Sequence, residues 1–324
     1  MNRPSWLLRA LAAIPLSLAL AAAAPAQTRY PDKPLRIIVP YPAGISPDVV
    51  ARILGDKLAQ SWGQPVVVDN RPGASGMIGA ELAAKSPADG YTMLIAVSAV
   101  MSMNPHLYSK MTYDPIKDFK PVTHVLNVPF VLTASMNTPY NTIPELVDAA
   151  KKEPGKINYA TLGAGSHSHV AMEWFMNATQ TRMTHVPYKG SPLTDLVSGA
   201  VSLYLDPVVT AQPQVAGQKI KALGVSSGKR SPLMPNVPAI SETVPGFETY
   251  AFQGIYVPAD TPDDIVAKLS AELVRIVRLP DVQKKLTDFG YIPVAGSSAD
   301  LAKLTRDDYA LWGKIIRDNN IRLD

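Results

Sequence analysis

Apolar and polar positions along the chain sort into short β-rich runs, each followed by a helical stripe. Leu35-Arg36-Ile37-Ile38-Val39 is rich in branched residues and ends at a Pro/Gly turn. Beyond that turn Ser46 has the character of a helix cap, with Pro47 at the first helical position and Asp48 behind it. Val50, Leu54, Leu58 and Trp62 then recur at four-residue spacing, the stripe of a helix packed on a core. Residues 65–68 read as the next strand, 74–85 as a helix and 92–97 as a third strand. The order βαβαβ predicts an α/β protein whose parallel strands are joined by right-handed crossovers.

A second series of the same kind follows. Residues 130–133 read as a strand, and Thr142 with Glu145 form a capping-box pattern for a helix reaching Lys151. Residues 157–160 are a predicted strand and 166–178 a helix; strands at 183–186 and 201–205 flank a short helix near 193–197. The chain ends with a predicted strand at 252–257 and helices starting near Thr261 and Ser298. No repeat, low-complexity tract or flexible linker separates the two series. Two βα lobes without a linker imply that the chain crosses between them more than once.

Ahead of both series lies a segment of another kind. Arg3 and Arg9 precede an apolar run at 11–24, broken only by Pro15 and Ser17, and Ala24-Pro25-Ala26 supplies a small-x-small cleavage pattern. The run is short for a membrane span. The expectation is a signal peptide of residues 1–26, cleaved before Gln27, and a periplasmic mature chain that is largely monomeric. Cleavage leaves 298 of the 324 residues and lowers the formal charge from +4 to +2. That length suits two lobes of roughly 100–150 residues each. The absence of cysteine excludes disulfides, thiol catalysis and thiolate metal sites. The basic residues are scattered, without a stripe interleaved with aromatics, so nucleic acid is not an expected partner.

In open α/β sheets ligands sit at the carboxyl ends of strands, beside helix N-termini. Two turns fit that position. Pro40-Tyr41-Pro42-Ala43-Gly44-Ile45-Ser46-Pro47-Asp48 follows the first strand, and Gly44 allows close backbone approach before a helix start with unpaired N–H donors. Thr161-Leu162-Gly163-Ala164-Gly165-Ser166-His167-Ser168-His169 is its counterpart in the second series. One exposed helix terminus contributes only about 0.3–1 kcal/mol per anionic group, so a single turn binds weakly and two facing turns bind better. His167 and His169 form an H-x-H pair, but zinc needs a third protein ligand and no carboxylate lies nearby in sequence. A capping or hydrogen-bonding role is preferred, and no metal or cofactor is expected. Ser98, Tyr188-Lys189-Gly190 and Asp206 follow or end other predicted strands and complete the candidate rim.

Enzyme signatures are missing: there is no G-x-S-x-G elbow, no Walker or G-x-G-x-x-G loop after a strand, and no H-E-x-x-H. Two alternatives to a non-catalytic receptor stay open at the level of sequence. One is a secreted α/β hydrolase with a triad assembled from distant residues, the other a ligand sensor serving a membrane signalling partner.

The same turns also carry a family likeness. Tyr30-Pro31-Asp32-Lys33-Pro34, Pro42-Ala43-Gly44, Asp48 with Ala51-Arg52, Asn70-Arg71-Pro72-Gly73, Asp89-Gly90-Tyr91-Thr92 and His185-Val186-Pro187-Tyr188-Lys189-Gly190 stand in order along the chain. In these motifs the sequence resembles Bug-type solute-binding proteins of tripartite tricarboxylate transporters, over essentially the whole mature chain. The resemblance implies a type II periplasmic-binding-protein fold, with lobe 1 comprising 27–127 and 249–324 and lobe 2 comprising 128–248. It also implies a small carboxylate ligand, a di-/tricarboxylate or an aromatic acid, and integral membrane transporter subunits as partners. By position the ligand contacts would be Tyr41, Ala43, Gly44, Ile45, Asp48, Ser98, Thr161, Ser166, His169 and Asp206. One departure stands out: this family has Gly-Gly where the chain has Gly44-Ile45, which narrows a water-holding turn and adds an apolar surface.

Overall fold

The computed structural model describes residues 30–323. The expected signal segment and its cleavage point lie outside these residues.

The alternating pattern produces a ten-stranded sheet in the order β2-β1-β3-β9-β4-β7-β5-β6, with β8 and β10 also paired to β4. The first half contains β1 (Leu35–Val39), α1 (Ser46–Trp62), β2 (Val66–Asn70), α2 (Met77–Ala84) and β3 (Thr92–Val97). A π-helical turn, Ala99–Met103, leads into α3 (Asn104–Leu107). The long strand β4 (Phe119–Ser135) then enters a second unit: α4 (Ile143–Lys152), β5 (Asn158–Thr161), α5 (His167–Thr179), β6 (Thr184–Pro187), α6 (Leu193–Ser198), β7 (Leu203–Pro207), α7 (Val208–Ala216) and β8 (Ile220–Val225). The chain returns through β9 (Tyr250–Pro258), α8 (Asp263–Val277), α9 (Pro280–Asp288), β10 (Ile292–Gly296) and α10 (Ser298–Asp318).

Several expected boundaries move, each for a local reason. Ser46 is not the cap of α1: Ile45 occupies the cap position with extended backbone, and the Ser46 hydroxyl instead takes the Gln253 amide at 2.6 Å. The helix expected at 74–85 splits, because Ala74 and Ser75 adopt left-handed backbone and the regular helix starts only at Met77. Thr142 does cap α4, accepting the Glu145 N–H at 3.3 Å, while the Glu145 carboxylate reaches the Asn141 N–H rather than closing the box on Thr142. The four-residue strand expected at 130–133 is the end of β4, seventeen residues long.

β4 explains the two-lobed architecture. Its first part pairs with β9 and β10, and its last part with β7 and β8, all antiparallel. β1 is parallel to β2 and β3, and β9 is antiparallel to both β3 and β4, so β1, β2, β3 and β4 run the same way. β5 is parallel to β6 and β7, and β7 is antiparallel to β4, so the second-lobe strands run the opposite way. β4 therefore leaves lobe 1 where β1, β2 and β3 have their carboxyl ends, and enters lobe 2 where β5, β6 and β7 have theirs. The turns that follow all these strands converge on one cleft. A second crossing lies beside the first: the Ser226 N–H donates to Phe130 O at 2.8 Å, and Thr249 N–H to Ser226 O at 2.9 Å, just before β9.

Both lobes are closed by buried aliphatic faces. The strand residues Ile37, Val39, Met93 and Ile95 join Val50, Leu54 and Leu58 of α1 in the largest cluster, which continues into lobe 2 through Leu132, Tyr159, Phe175 and Leu203. Each such side chain removed from water contributes about 1.5–3 kcal/mol. α10 links the lobes: the buried Trp312 sets its ring edge-on to His167 at 5.3 Å and to Trp174 at 6.2 Å, both on α5.

Candidate functional site

The first turn, Pro40–Asp48, is held from inside by one carboxylate. Asp48 is 2% exposed and accepts the Gly44 N–H at 2.8 Å, the Asn70 amide at 3.0 Å and a two-nitrogen grip from Arg52 at 2.9 and 3.1 Å. The Asn70 amide also reaches the Tyr41 carbonyl at 3.1 Å, tying the turn to the end of β2. Burial alone would raise the Asp48 pKa; the bonds from Arg52, Gly44 and Asn70 outweigh it and hold the carboxyl below its usual value. Asp48 is thus an ionised staple, and the Gly44 N–H is turned toward it. Gly44 itself has φ +86° with open space where a Cβ would stand, so its requirement is conformational, not steric. Ala43, Gly44 and Ile45 are exposed, and Tyr41 is half-buried.

The second turn is held without charge. Ser166 caps α5, accepting the His169 N–H at 3.4 Å, and the His169 Nδ1 accepts the Gly165 N–H at 3.1 Å. The Thr161 hydroxyl meets His185 Nε2 at 2.6 Å and the Gly163 N–H at 3.2 Å. The rings of His169 and His185 stack at 4.1 Å, and the Glu173 carboxylate lies 3.8 Å from His169 Nε2. Burial lowers the His169 pKa, and burial plus the neighbouring His169 lowers that of His185 to about 4. Both rings are neutral near pH 7. His167 points elsewhere: it stacks on Phe130 at 4.6 Å, bonds the Thr249 hydroxyl at 2.8 Å, and burial depresses its pKa to about 3. The H-x-H pair thus splits into one residue packed beside the strand crossings and one turn residue. Among the described residues no group of three or more His, Cys, Asp or Glu is placed to hold a metal ion.

Ser98 directly follows β3 in lobe 1, and Asp206 stands at the end of β7 in lobe 2. Both are buried, and neither the Ser98 hydroxyl nor the Asp206 Oδ2 has a hydrogen-bond partner. The other Asp206 oxygen accepts the Thr210 hydroxyl. Burial raises the Asp206 pKa to about 7 against the opposing effect of that bond. An unpartnered polar atom at such a strand end is costly unless something else satisfies it.

The ten candidate residues lie in or just after β1, β3, β5 and β7, and they differ in what they bond. Asp48 builds the turn from within, while Ala43, Gly44 and Ile45 form its outer surface. Asn70, Arg52, His185, Ser46 and Gln253 were not among the sequence candidates. Each acts through a partner distant in the chain or buried behind the turn, except Arg52, whose i,i+4 spacing from Asp48 is a legible signal.

A two-lobed sheet with helix-opening glycine turns at opposed strand ends defines a periplasmic-binding-protein architecture. The family model described as "Tripartite tricarboxylate transporter family receptor" matches residues 50–321, and the chain belongs to that family. Protein BugT of Bordetella pertussis is 32% identical over 97% of this chain and 98% of its own. The structure of Rpa4515 from R. palustris with adipate is similar at 33% identity and a TM-score of 0.80, covering 91% of this chain and all of that one. MatC from Rhodopseudomonas palustris with bound malate is similar at 30% identity and a TM-score of 0.76, covering 89% of this chain and all of the other. A further similar structure, at 30% identity, is that of the periplasmic binding protein BugD, and among the described residues no helix is long and apolar enough to cross a membrane.

Proposed function

We propose that this chain is a periplasmic receptor that captures a small carboxylate between its lobes and delivers it to the membrane subunits of a tripartite tricarboxylate transporter, without chemical conversion. The observation that carries this reading is the convergence of two glycine turns, each opening a helix, at the opposed carboxyl ends of β1 and β5. Helix starts offer N–H donors and a favourable dipole to an anion, and two lobes closing on it exclude the water that would compete. The adipate and malate carried by two family relatives support the ligand class. In this reading Tyr41, Ala43, Gly44, Ile45, Ser98, Thr161, Ser166, His169 and Asp206 line the ligand, and Asp48 positions the first turn. Lobe 1 comprises 27–127 and 249–324, lobe 2 128–248, and the hinge lies at the two crossings. Residues 1–26 direct export.

A thermal-shift screen of dicarboxylates, tricarboxylates and aromatic acids tests the reading. A hit should bind without turnover, be recovered chemically unchanged, and reduce the radius of gyration in small-angle scattering. A converted product would move the protein to the enzymes. Scattering that does not change at saturation would remove the closure step.

A further inference from the structure

The rim of the proposed cleft carries exposed apolar side chains on both lobes, and its cations are few, with Lys189 after β6 exposed among them. Among the described residues ten large apolar side chains are exposed. Three of them, Ile45 at 43%, Ile78 at 52% and Leu162 at 52%, stand on the segments that follow β1, β2 and β5. By the strand directions derived above, these segments border the same cleft from opposite sides. The cations on the lobe 1 segments are already engaged: Arg52 is paired with Asp48 and Arg71 with Asp69, each at 2.9 Å. The turn residues 41–46 and 161–166 contain no lysine or arginine at all. A di- or tri-anion closing into this cleft would lose water around every charge and find few cations to replace it, which costs several kcal/mol per unpaired ion. A single carboxylate on neutral N–H donors, followed by an apolar body, suffers no such penalty.

Resting on the receptor reading, we infer that Ile45, Ile78 and Leu162 select a carboxylate with an apolar body, an aromatic ring or a methylene chain, over small polar di- and tricarboxylates. The side chains meet that body from both lobes as the cleft closes. Their contribution is specificity, because apolar contact distinguishes ligands by the area it covers.

The test measures dissociation constants by calorimetry for benzoate, 3-phenylpropionate and octanoate against succinate, malate and citrate. At least one acid of the first set should bind about tenfold or more tightly than any of the second. The Ile45→Ala, Leu162→Ala double variant should lose about tenfold or more for that acid, a larger loss than for malate. Both positions are exposed, so the melting temperature of the unliganded variant should match that of the parent, and a large drop would disqualify the variant in favour of Ile78→Ala. Tighter binding of malate, succinate or citrate overturns the inference and leaves the receptor reading intact, as does a double variant that binds every acid like the parent. Failure of all six acids to bind overturns both.

Discussion

The two glycine turns that open α1 and α5 have the same shape requirement and opposite means of meeting it. In lobe 1 a buried carboxylate gathers Gly44, Asn70 and Arg52 around a full negative charge. In lobe 2 Ser166, His169, Thr161 and His185 do the equivalent work as neutral groups, their imidazoles uncharged by burial. The glycines differ in parallel. Gly44 faces open space, whereas a Cβ on Gly165 would meet the Leu323 side chain at 2.3 Å and that of Leu107 at 3.2 Å. An ionised staple concentrates the integrity of a turn in one residue, while a neutral network spreads it. That difference should appear in the size of mutational effects and in their dependence on pH.

The largest effect should come from Asp48→Ala. It strips a charged acceptor from three donors at once, one of them the Gly44 N–H that shapes the turn. Hydrogen bonds to charged groups contribute about 1.5–3 kcal/mol each when buried, but Arg52 is half-exposed and can turn to water. The expected loss is about 3 kcal/mol in urea unfolding, with carboxylate binding abolished. Asp48→Asn should recover part of the stability, since it keeps the Gly44 bond and loses the charge. If Asp48→Ala bound ligand like the parent, the staple would be dispensable to the site.

Gly44→Val ranks next. The backbone at φ +86° is unfavourable to a β-branched residue, at a cost of about 1–3 kcal/mol, yet there is room for the side chain. The fold should survive with a slightly lower melting temperature, while the turn relaxes and affinity for the thermal-shift hit disappears. Unchanged affinity in a folded variant would place the anion elsewhere.

What the sequence conveyed and what it withheld follow the same division between local and distant partners. β3 and the amphipathic stripe of α1 were legible because their patterns close within a few residues. β4 was legible only at its end, because Pro121, Pro129 and the polar run through Thr123, His124 and Asn127 break the alternation that would announce a long strand. Thr123 is satisfied far away, by the Gly296 carbonyl at 2.7 Å, while His124 and Asn127 bond each other at 2.8 Å. α7 was hidden by Pro213 in its interior. At the site, the two turns were picked out by their place between a predicted strand and a helix start and by their glycine content. The roles within them were not: nothing local tells that Ser46 serves Gln253, 207 residues on, instead of capping its own helix.

The third effect concerns pH and separates the lobes directly. Asp206 has a pKa near 7 in the folded chain against an ordinary value of 3.8, so between these values the native state keeps a proton that the unfolded chain has lost. Stability should therefore fall as pH rises from about 4 to about 7, by at most about 1.4 kcal/mol per unit for one group. Asp308, also near 7 through burial, adds a slope of the same sign. Asp206→Asn should remove part of the slope and leave the Asp308 part. Asp48, held below its usual value, acts in the opposite sense: its stabilisation is present above the ordinary carboxylate pKa and is lost as pH falls through its lowered one. Urea titrations at half-unit intervals resolve the two. A slope unchanged in Asp206→Asn would mean that the carboxyl is ionised and satisfied across the range.

The smallest effect should be Ser166→Ala, and its smallness is the point of the comparison. Caps of this type contribute about 0.5–2 kcal/mol. The Ser166 bond to the His169 N–H is long at 3.4 Å, its hydroxyl is shared with Ser168 at 3.2 Å, and His169 independently holds the Gly165 N–H at 3.1 Å. With the turn supported by these other bonds, the loss should lie at the low end, about 0.5 kcal/mol in urea unfolding. The partial redundancy can be exposed by pairing it with His169→Ala. In a neutral network the double variant should cost more than the sum of the singles, because each remaining bond supports the turn when the other is gone. Strict additivity would mean that Ser166 and His169 act separately, and that the second turn is held as locally as the first is held by Asp48.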